Sequence, residues 1–109
     1  MIIEQFINDR IIQLNAYIKA VMHKNLHFTE LDLFLNELME EWSQLMVTDE
    51  TPANAKERVF WYLIQELKLH GAQALNQNLY LLAEVGACLD FIDGNGSYPI
   101  DCIGWRPIP

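Results

Sequence analysis

Residues 59–64, Val-Phe-Trp-Tyr-Leu-Ile, place six large apolar side chains in a row near the middle of the chain. Aromatic and β-branched residues favour strands, so this stretch taken alone is compatible with a β-strand. The flanking segments 53–58 and 65–68 are rich in strong helix formers, however, and they favour a helix through the whole region. On a helix, six successive side chains point all the way round the axis. We therefore predict a helix over 52–70 that is covered from more than one direction.

Three further segments repeat apolar residues at three- and four-residue steps, which is typical of amphipathic helices. They cover about 2–23, 30–46 and 79–93. The final segment, 97–109, contains three prolines, which prevent a helix, among apolar residues that favour packing on the helices. Short connections between successive helices predict that neighbouring helices run antiparallel. The sequence thus predicts one all-α domain, an antiparallel four-helix bundle-like fold with an ordered irregular C-terminal tail.

Capping residues and apolar spacing predict where the helices start and which sides they bury. Thr29 is the predicted N-cap of the second helix, and Thr51 followed by Pro52 is the predicted start of the third. Gly71 is the predicted end of the third helix. The predicted core residues are Ile3, Ile7, Ile11, Leu14, Ile18 and Val21 of the first helix, Leu31, Leu35, Leu38, Trp42 and Leu45 of the second, and Leu82, Val85, Leu89 and Ile92 of the fourth.

The charge of the chain limits the classes of partner. Fifteen acidic residues against seven Lys and Arg give a formal charge of -8 at pH 7, which opposes direct binding to nucleic acid phosphates and to anionic membranes. No stretch is long enough to span a bilayer, and the first residues lack the features of a signal peptide. The two cysteines form no CxxC pair and are expected to be thiols in a reducing cytosol. The expected location is the cytoplasm, and no residue pattern indicates a cofactor.

Acidic residues are concentrated on the second helix and the loop that follows it. Between Lys24 and Lys56 the chain has no Lys or Arg. A surface of one sign keeps a small protein soluble, and it can also be a docking face for a basic protein. Both interpretations stay open at this point. The predicted acidic docking face consists of Asp32, Glu37, Glu40, Glu41, Asp49 and Glu50.

The third and fourth helices carry more apolar surface than one core-facing side accounts for. On a helical wheel, Trp61 and Tyr62 lie towards the polar side of the third helix, near Arg58. The tail or a second copy of the chain could cover this face, and the predicted homodimer combines both. An aromatic ligand pocket beneath the tail is the alternative. The predicted interface or ligand-pocket residues are Arg58, Trp61, Tyr62, Leu69, Tyr80, Ala83, Ala87, Phe91 and Trp105.

Histidines and cysteines supply the candidates for metal binding and covalent chemistry. On one continuous helix, His23 and His27 with Glu30 could present two imidazoles and a carboxylate to a metal ion. Alternatively, His23 only complements the C-terminal dipole of the first helix. Cys88 or Cys102 would need an adjacent histidine to act as a nucleophile, and a buried helix cysteine is more often a small apolar residue.

Arg10 lies on the apolar stripe of the first helix. A guanidinium in this position must reach solvent, pair with a carboxylate or bind a ligand. Glu66 and Asp90 are possible partners in the sequence, which does not choose between them.

The function we expect from these features is a non-enzymatic, acidic cytoplasmic protein–protein interaction module. It would be homodimeric. The adaptor, antitoxin, immunity and regulatory types all stay open, because an all-helical class by itself specifies no activity. Two alternatives remain open. One is a small-ligand or metal-binding domain with an aromatic pocket under the C-terminal tail, and the other is an acidic decoy for nucleic-acid-binding proteins.

Overall fold

The computed structural model describes residues 2–45 and 51–107. Within these ranges the chain contains four α-helices, one 3-10 helix and no β-strand, which confirms the predicted all-α class and the irregular C-terminal tail. None of the helices in this part of the chain combines the length and the apolar character that crossing a membrane requires. The elements are α1 (Ile2–Met22), α2 (Phe28–Gln44), α3 (Ala55–His70), the 3-10 helix Ala72–Asn76 and α4 (Leu79–Ile92).

The chain divides into two compact units. The first unit comprises 1–52 together with 107–109 and contains α1 and α2. The second unit comprises 53–106 and contains α3, the 3-10 helix, α4 and most of the tail. The single domain and the antiparallel order of the four helices stay predictions.

In the first unit, α1 packs against α2. All six predicted core residues of α1 are buried, and Phe6 joins them. Four of the five predicted α2 residues are buried as well, but Leu45 is the C-cap of α2 and is only half-buried. The indole N–H of Trp42 donates to the carbonyl oxygen of Pro107 at 3.2 Å, and the Trp42 ring lies 5.5 Å from the Phe6 ring. The apolar stripes therefore identified this core correctly.

In the second unit, α3 packs against the 3-10 helix and α4. The prediction of Leu82 and Ile92 as core residues of α4 is wrong, because both are only half-buried. Leu81 and Cys88 are buried in their place, together with Val85 and Leu89. Since almost every side chain of α4 is apolar, two neighbouring stripes fit the helical period equally well. The buried residues of α3 are Glu57, Val59, Phe60, Trp61, Leu63, Ile64 and Leu67.

The starts of α2 and α3 differ from the predicted ones. Helix α2 begins at Phe28, and His27 replaces Thr29 as the N-cap, with its Nδ1 accepting from the backbone N–H of Thr29 at 3.3 Å. Helix α3 begins at Ala55, so the predicted start at Thr51 and Pro52 is wrong. The Oδ1 of Asn54 accepts from the Glu57 backbone N–H at 2.8 Å, because an Asn at the N-cap satisfies an amide that would otherwise lack a partner.

The end of α3 agrees with the prediction. The last helical residue is His70, and Gly71 follows as the C-cap with a φ of +82°. Glycine adopts this backbone conformation without the steric penalty that other residues meet. The helix therefore stops at Gly71 and the chain turns into the 3-10 helix.

Candidate interaction site

The C-terminal tail lies directly against the backbone of α3. We call residues 102–106 the tail segment. The backbone N–H of Gly104 donates to the carbonyl oxygen of Arg58 at 2.9 Å. A Cβ atom at Gly104 would lie 2.0 Å from the backbone nitrogen of Tyr62 and 2.4 Å from the carbonyl carbon of Trp61. Only glycine lets the two backbones approach so closely, so this residue determines where the tail crosses the helix.

A buried carboxylate joins the tail segment to α3 a turn earlier. Glu57 is only 6% exposed, and it accepts two hydrogen bonds from the guanidinium of Arg106. The Nε of Arg106 lies 2.7 Å from Oε2, and its Nη2 lies 2.8 Å from Oε1. The indole N–H of Trp61 donates to the same Oε2 at 3.0 Å. Glu57 thus supplies an acceptor to both donors, and Arg106 and Trp61 supply the partners that a buried carboxylate requires.

This network corrects the prediction for Trp61. The prediction that Trp61 is an interface or ligand-pocket residue is wrong, because Trp61 is fully buried at 0% exposure. It does lie on the side of α3 that carries Glu57, but the backbone of the tail segment passes next to it at Gly104. Its ring also packs edge-on against Phe60, with the ring centroids 4.8 Å apart. Burial of Trp61 therefore needs no second subunit.

Trp105 is fixed in its backbone and free in its side chain. The side-chain amide of Gln65 donates to the carbonyl oxygen of Trp105 at 2.7 Å and accepts from its backbone N–H at 3.3 Å. The side chain of Trp105 is nevertheless 74% exposed. Leu69, which is 75% exposed, lies one turn beyond Gln65 on the same side of α3. The tail and α3 thus present large apolar side chains to solvent from an ordered backbone.

The other predicted interface residues lie in several different environments. Tyr62 and Phe91 are half-buried, and the Phe91 ring stacks on Tyr98 with centroids 5.3 Å apart. Because Trp61 has no exposed surface while Trp105 projects into solvent, the two tryptophans do not enclose the predicted aromatic pocket. The predicted residues that are exposed are Arg58, Leu69, Tyr80, Ala83, Ala87 and Trp105.

The two cysteines lie close together where the tail segment begins. Cys88 of α4 and Cys102 are free, buried thiols, and each is close enough to influence the ionisation of the other. Cys102 also interacts with the hydroxyl of Tyr62, which donates to the carboxylate of Glu84. Burial raises the pKa of both thiols above the usual range and, together with the hydrogen bond to Glu84, raises that of Tyr62. Since the thiolate is the reactive form, this environment does not favour the cysteine nucleophile.

Because of the two buried thiols, we expect the free energy of unfolding to fall in alkaline solution. In the folded chain the pKa values of Cys88 and Cys102 lie above their ordinary value of 9.0, whereas thiols of the unfolded chain ionise near that value. The stabilisation is therefore complete below pH 9 and decreases as the pH rises from there towards the folded-state pKa values. Urea unfolding at several pH values between 7 and 10.5 should show a falling free energy of unfolding above pH 9.

A double variant isolates the contribution of the thiols. Serine does not titrate in this range, so Cys88→Ser combined with Cys102→Ser should show a shallower pH dependence above pH 9. An unchanged slope in the double variant would assign the alkaline effect to other groups.

The predicted acidic docking face is only partly available for a partner. Glu37 and Glu40 are exposed and Asp32 is half-buried, whereas Glu41 forms an ion pair with Arg10. The partner of Arg10 is therefore Glu41 and not Glu66 or Asp90, the two carboxylates considered from the sequence. This ion pair also neutralises one carboxylate of α2, which does not favour a nucleic acid decoy. Asp49 and Glu50 lie outside the described residues.

Arg10 and Glu41 line a cavity between α1 and α2 with a volume of about 210 Å³. The rings of Tyr17 and Phe34 stack in its wall, with centroids 4.4 Å apart and planes 13° from parallel. Arg10 also donates to the side-chain oxygen of Gln13 at 2.8 Å. The remaining lining residues are Glu37 and Leu38.

The structure does not assemble the candidate metal site. The Nδ1 of His27 is engaged at the start of α2, where it lies 2.9 Å from the hydroxyl oxygen of Thr29. His23 and Glu30 are exposed. Within 2–45 and 51–107 no group of three or more His, Cys, Asp or Glu side chains is placed to hold a metal ion. The trio of His23, His27 and Glu30 is therefore not brought together.

The sequence analysis did not identify four residues that join the tail segment to α3, namely Glu57, Gln65, Gly104 and Arg106. Two signals could have identified some of them. Arg106 is the only Lys or Arg after Lys68, and such an isolated basic residue indicates a specific partner. Glu57 precedes Trp61 by one helical turn, which places an acceptor beside an indole. Nothing local marks Gly104, because its role depends on a backbone 42 residues away in sequence.

Comparison with protein-family models, with curated proteins and with solved structures finds no match to this chain. The class that the fold and the site define is an all-α protein whose tail displays an exposed tryptophan.

Proposed function

We propose that this chain is a non-enzymatic protein–protein interaction module. The observation that carries the proposal is the presentation of Trp105, whose backbone is bonded to Gln65 at both N–H and C=O while its side chain is 74% exposed. Tryptophan is among the residues that contribute most to binding energy at interfaces. An exposed tryptophan on a fixed backbone loses little conformational freedom on binding, which increases the affinity that its contacts can produce.

The proposed partner at this surface is a second copy of the chain. Trp105, Leu69 and Tyr80 of the second unit are all largely exposed, and Ala83 and Ala87 add small exposed residues on α4. A two-fold dimer brings the same patch of both copies together, and small residues permit close approach of helices. Covering these side chains would remove apolar area from water at the centre of the interface. A cytoplasmic adaptor or regulatory role is consistent with free thiols and with a homodimer.

Replacing Trp105 with alanine should dissociate the proposed dimer. Light scattering at several concentrations is expected to give the mass of two chains for the wild type and of one chain for Trp105→Ala at micromolar concentrations. Removal of an exposed side chain leaves the tail contacts intact, so the far-UV circular dichroism spectrum should not change.

Ile12→Ala is the matched control, because Ile12 is an exposed apolar residue of α1, 71% accessible, outside the second unit. This variant should retain the mass of two chains. A wild-type protein that stays monomeric at every concentration would contradict the dimer, and equal dissociation by both variants would remove Trp105 from the interface.

A further inference from the structure

We propose that the cavity between α1 and α2 binds one arginine side chain of a basic partner protein. This site lies in the first unit, and it is independent of the Trp105 surface and of the dimer. The proposal depends on the size of the cavity, on a lining carboxylate that has no partner among the described residues, and on two aromatic rings in the same lining.

The volume of the cavity limits its occupant to a small group. Sites for complete small-molecule ligands commonly measure roughly 300 to 1,000 Å³. The cavity between α1 and α2 measures about 210 Å³, which suits one amino-acid side chain better than a cofactor. A side chain that enters it would remain attached to a partner on the exposed surface of α2.

Glu37 supplies the charge that selects a cation. It is exposed and makes no hydrogen bond or ion pair with another described residue. The other carboxylate of the cavity, Glu41, is already compensated by Arg10. An incoming cation would therefore pair with Glu37 without displacing the internal ion pair.

The aromatic wall favours a guanidinium over an ammonium. Tyr17 and Phe34 are half-buried, stack on each other and both belong to the lining of the cavity. A planar guanidinium can lie against an aromatic face and donate two parallel hydrogen bonds to a carboxylate. The guanidinium of Arg10 already has surroundings of this kind, since it bonds Glu41 and Gln13 and lies 5.9 Å from the centre of the Phe6 ring.

The surrounding charge favours the approach of a basic partner. Helix α2 contains five acidic residues and no Lys or Arg. A surface of one sign accelerates association with a surface of the opposite sign and opposes acidic partners. The cavity then gives this general attraction one defined contact point.

An NMR titration of the full chain with N-acetyl-arginine amide tests the site. The expected result is a saturable shift of the backbone amides of Gln13, Phe34 and Leu38, with weaker binding of N-acetyl-lysine amide. Glu37→Gln should weaken arginine binding about tenfold, since it removes one charge-assisted contact. Phe34→Leu should weaken it as well, with the fold checked by circular dichroism.

Glu40→Gln is the matched control. Glu40 is an exposed carboxylate of the same helix that does not line the cavity, so its change removes the same charge. This variant should alter binding by less than about twofold, in keeping with the weak effect of an exposed charge. Equal weakening by Glu37→Gln and Glu40→Gln, equal affinity for lysine, or the absence of shifts at the cavity would overturn the proposal. Trp105→Ala should leave the titration unchanged, so this result is separate from that of the dimer.

Discussion

Replacing Arg106 with methionine will destabilise the protein by about 3 kcal/mol, because the change leaves a buried carboxylate without its counter-charge. Among the described residues, the Glu57 carboxylate would keep only the indole N–H of Trp61 as a partner. Methionine retains much of the apolar stem of arginine, so the loss reports the charge and the polar contacts of the guanidinium instead of packing. Urea unfolding followed by circular dichroism measures the difference.

Two further variants make the Arg106 result specific. Arg58→Met removes an exposed arginine from α3 and should change the stability by less than about 0.5 kcal/mol. Combining Glu57→Gln with Arg106→Met should recover part of the loss, because a neutral amide oxygen can still accept from Trp61 without a buried charge. If Arg106→Met costs no more than Arg58→Met, the network does not stabilise the fold.

Gly104→Ala will destabilise the chain by about 2 to 3 kcal/mol, near the upper end of the usual cost of overpacking. The added Cβ would lie 2.0 Å from the Tyr62 backbone nitrogen, and a helix backbone cannot yield as a flexible side chain can. The tail segment must therefore move away from α3. That displacement weakens the Gly104 bond to Arg58 and exposes Cys102, which is buried in the wild type.

The Gly104 prediction is checked by urea unfolding together with the rate of alkylation of Cys102 by iodoacetamide. Gly86→Ala is the matched control, because a Cβ at Gly86 meets nothing within 4 Å and alanine is the better helix former. This control should be neutral or stabilising by up to about 1 kcal/mol, with unchanged alkylation. Similar stability and thiol reactivity in the two variants would show that the close approach at Gly104 is not required.

In the first unit, the apolar pattern of the sequence is sufficient to predict most of the core residues of the helices. The six core residues of α1 were identified correctly, because a polar opposite face leaves a single stripe to bury. The same argument succeeds for Leu31 to Trp42 on α2. It fails on α4, where apolar residues surround the helix and Leu81 replaces Leu82 in the core.

The candidate sites were less predictable than the helices. The sequence indicated that Trp61 needs cover beyond an ordinary helix packing, but it did not indicate Glu57 and Arg106 as its partners. Those contacts join residues 49 positions apart, and no local pattern records such a pairing. The ion pair of Arg10 with Glu41 was missed for the same reason, because it joins two helices.

The sequence by itself determined the all-α class, the end of α3 at Gly71, the amphipathic sides of α1 and α2 and the acidic character of α2. These properties depend on neighbours within one or two helical turns, where spacing and capping act directly. Only the tertiary structure decided that Trp61 is core, that Trp105 is displayed, that the two thiols meet and that Glu37 borders a cavity. Each of these depends on where the backbone of one element comes to lie against another, as Gly104 does against Tyr62, and that position results from packing the whole unit.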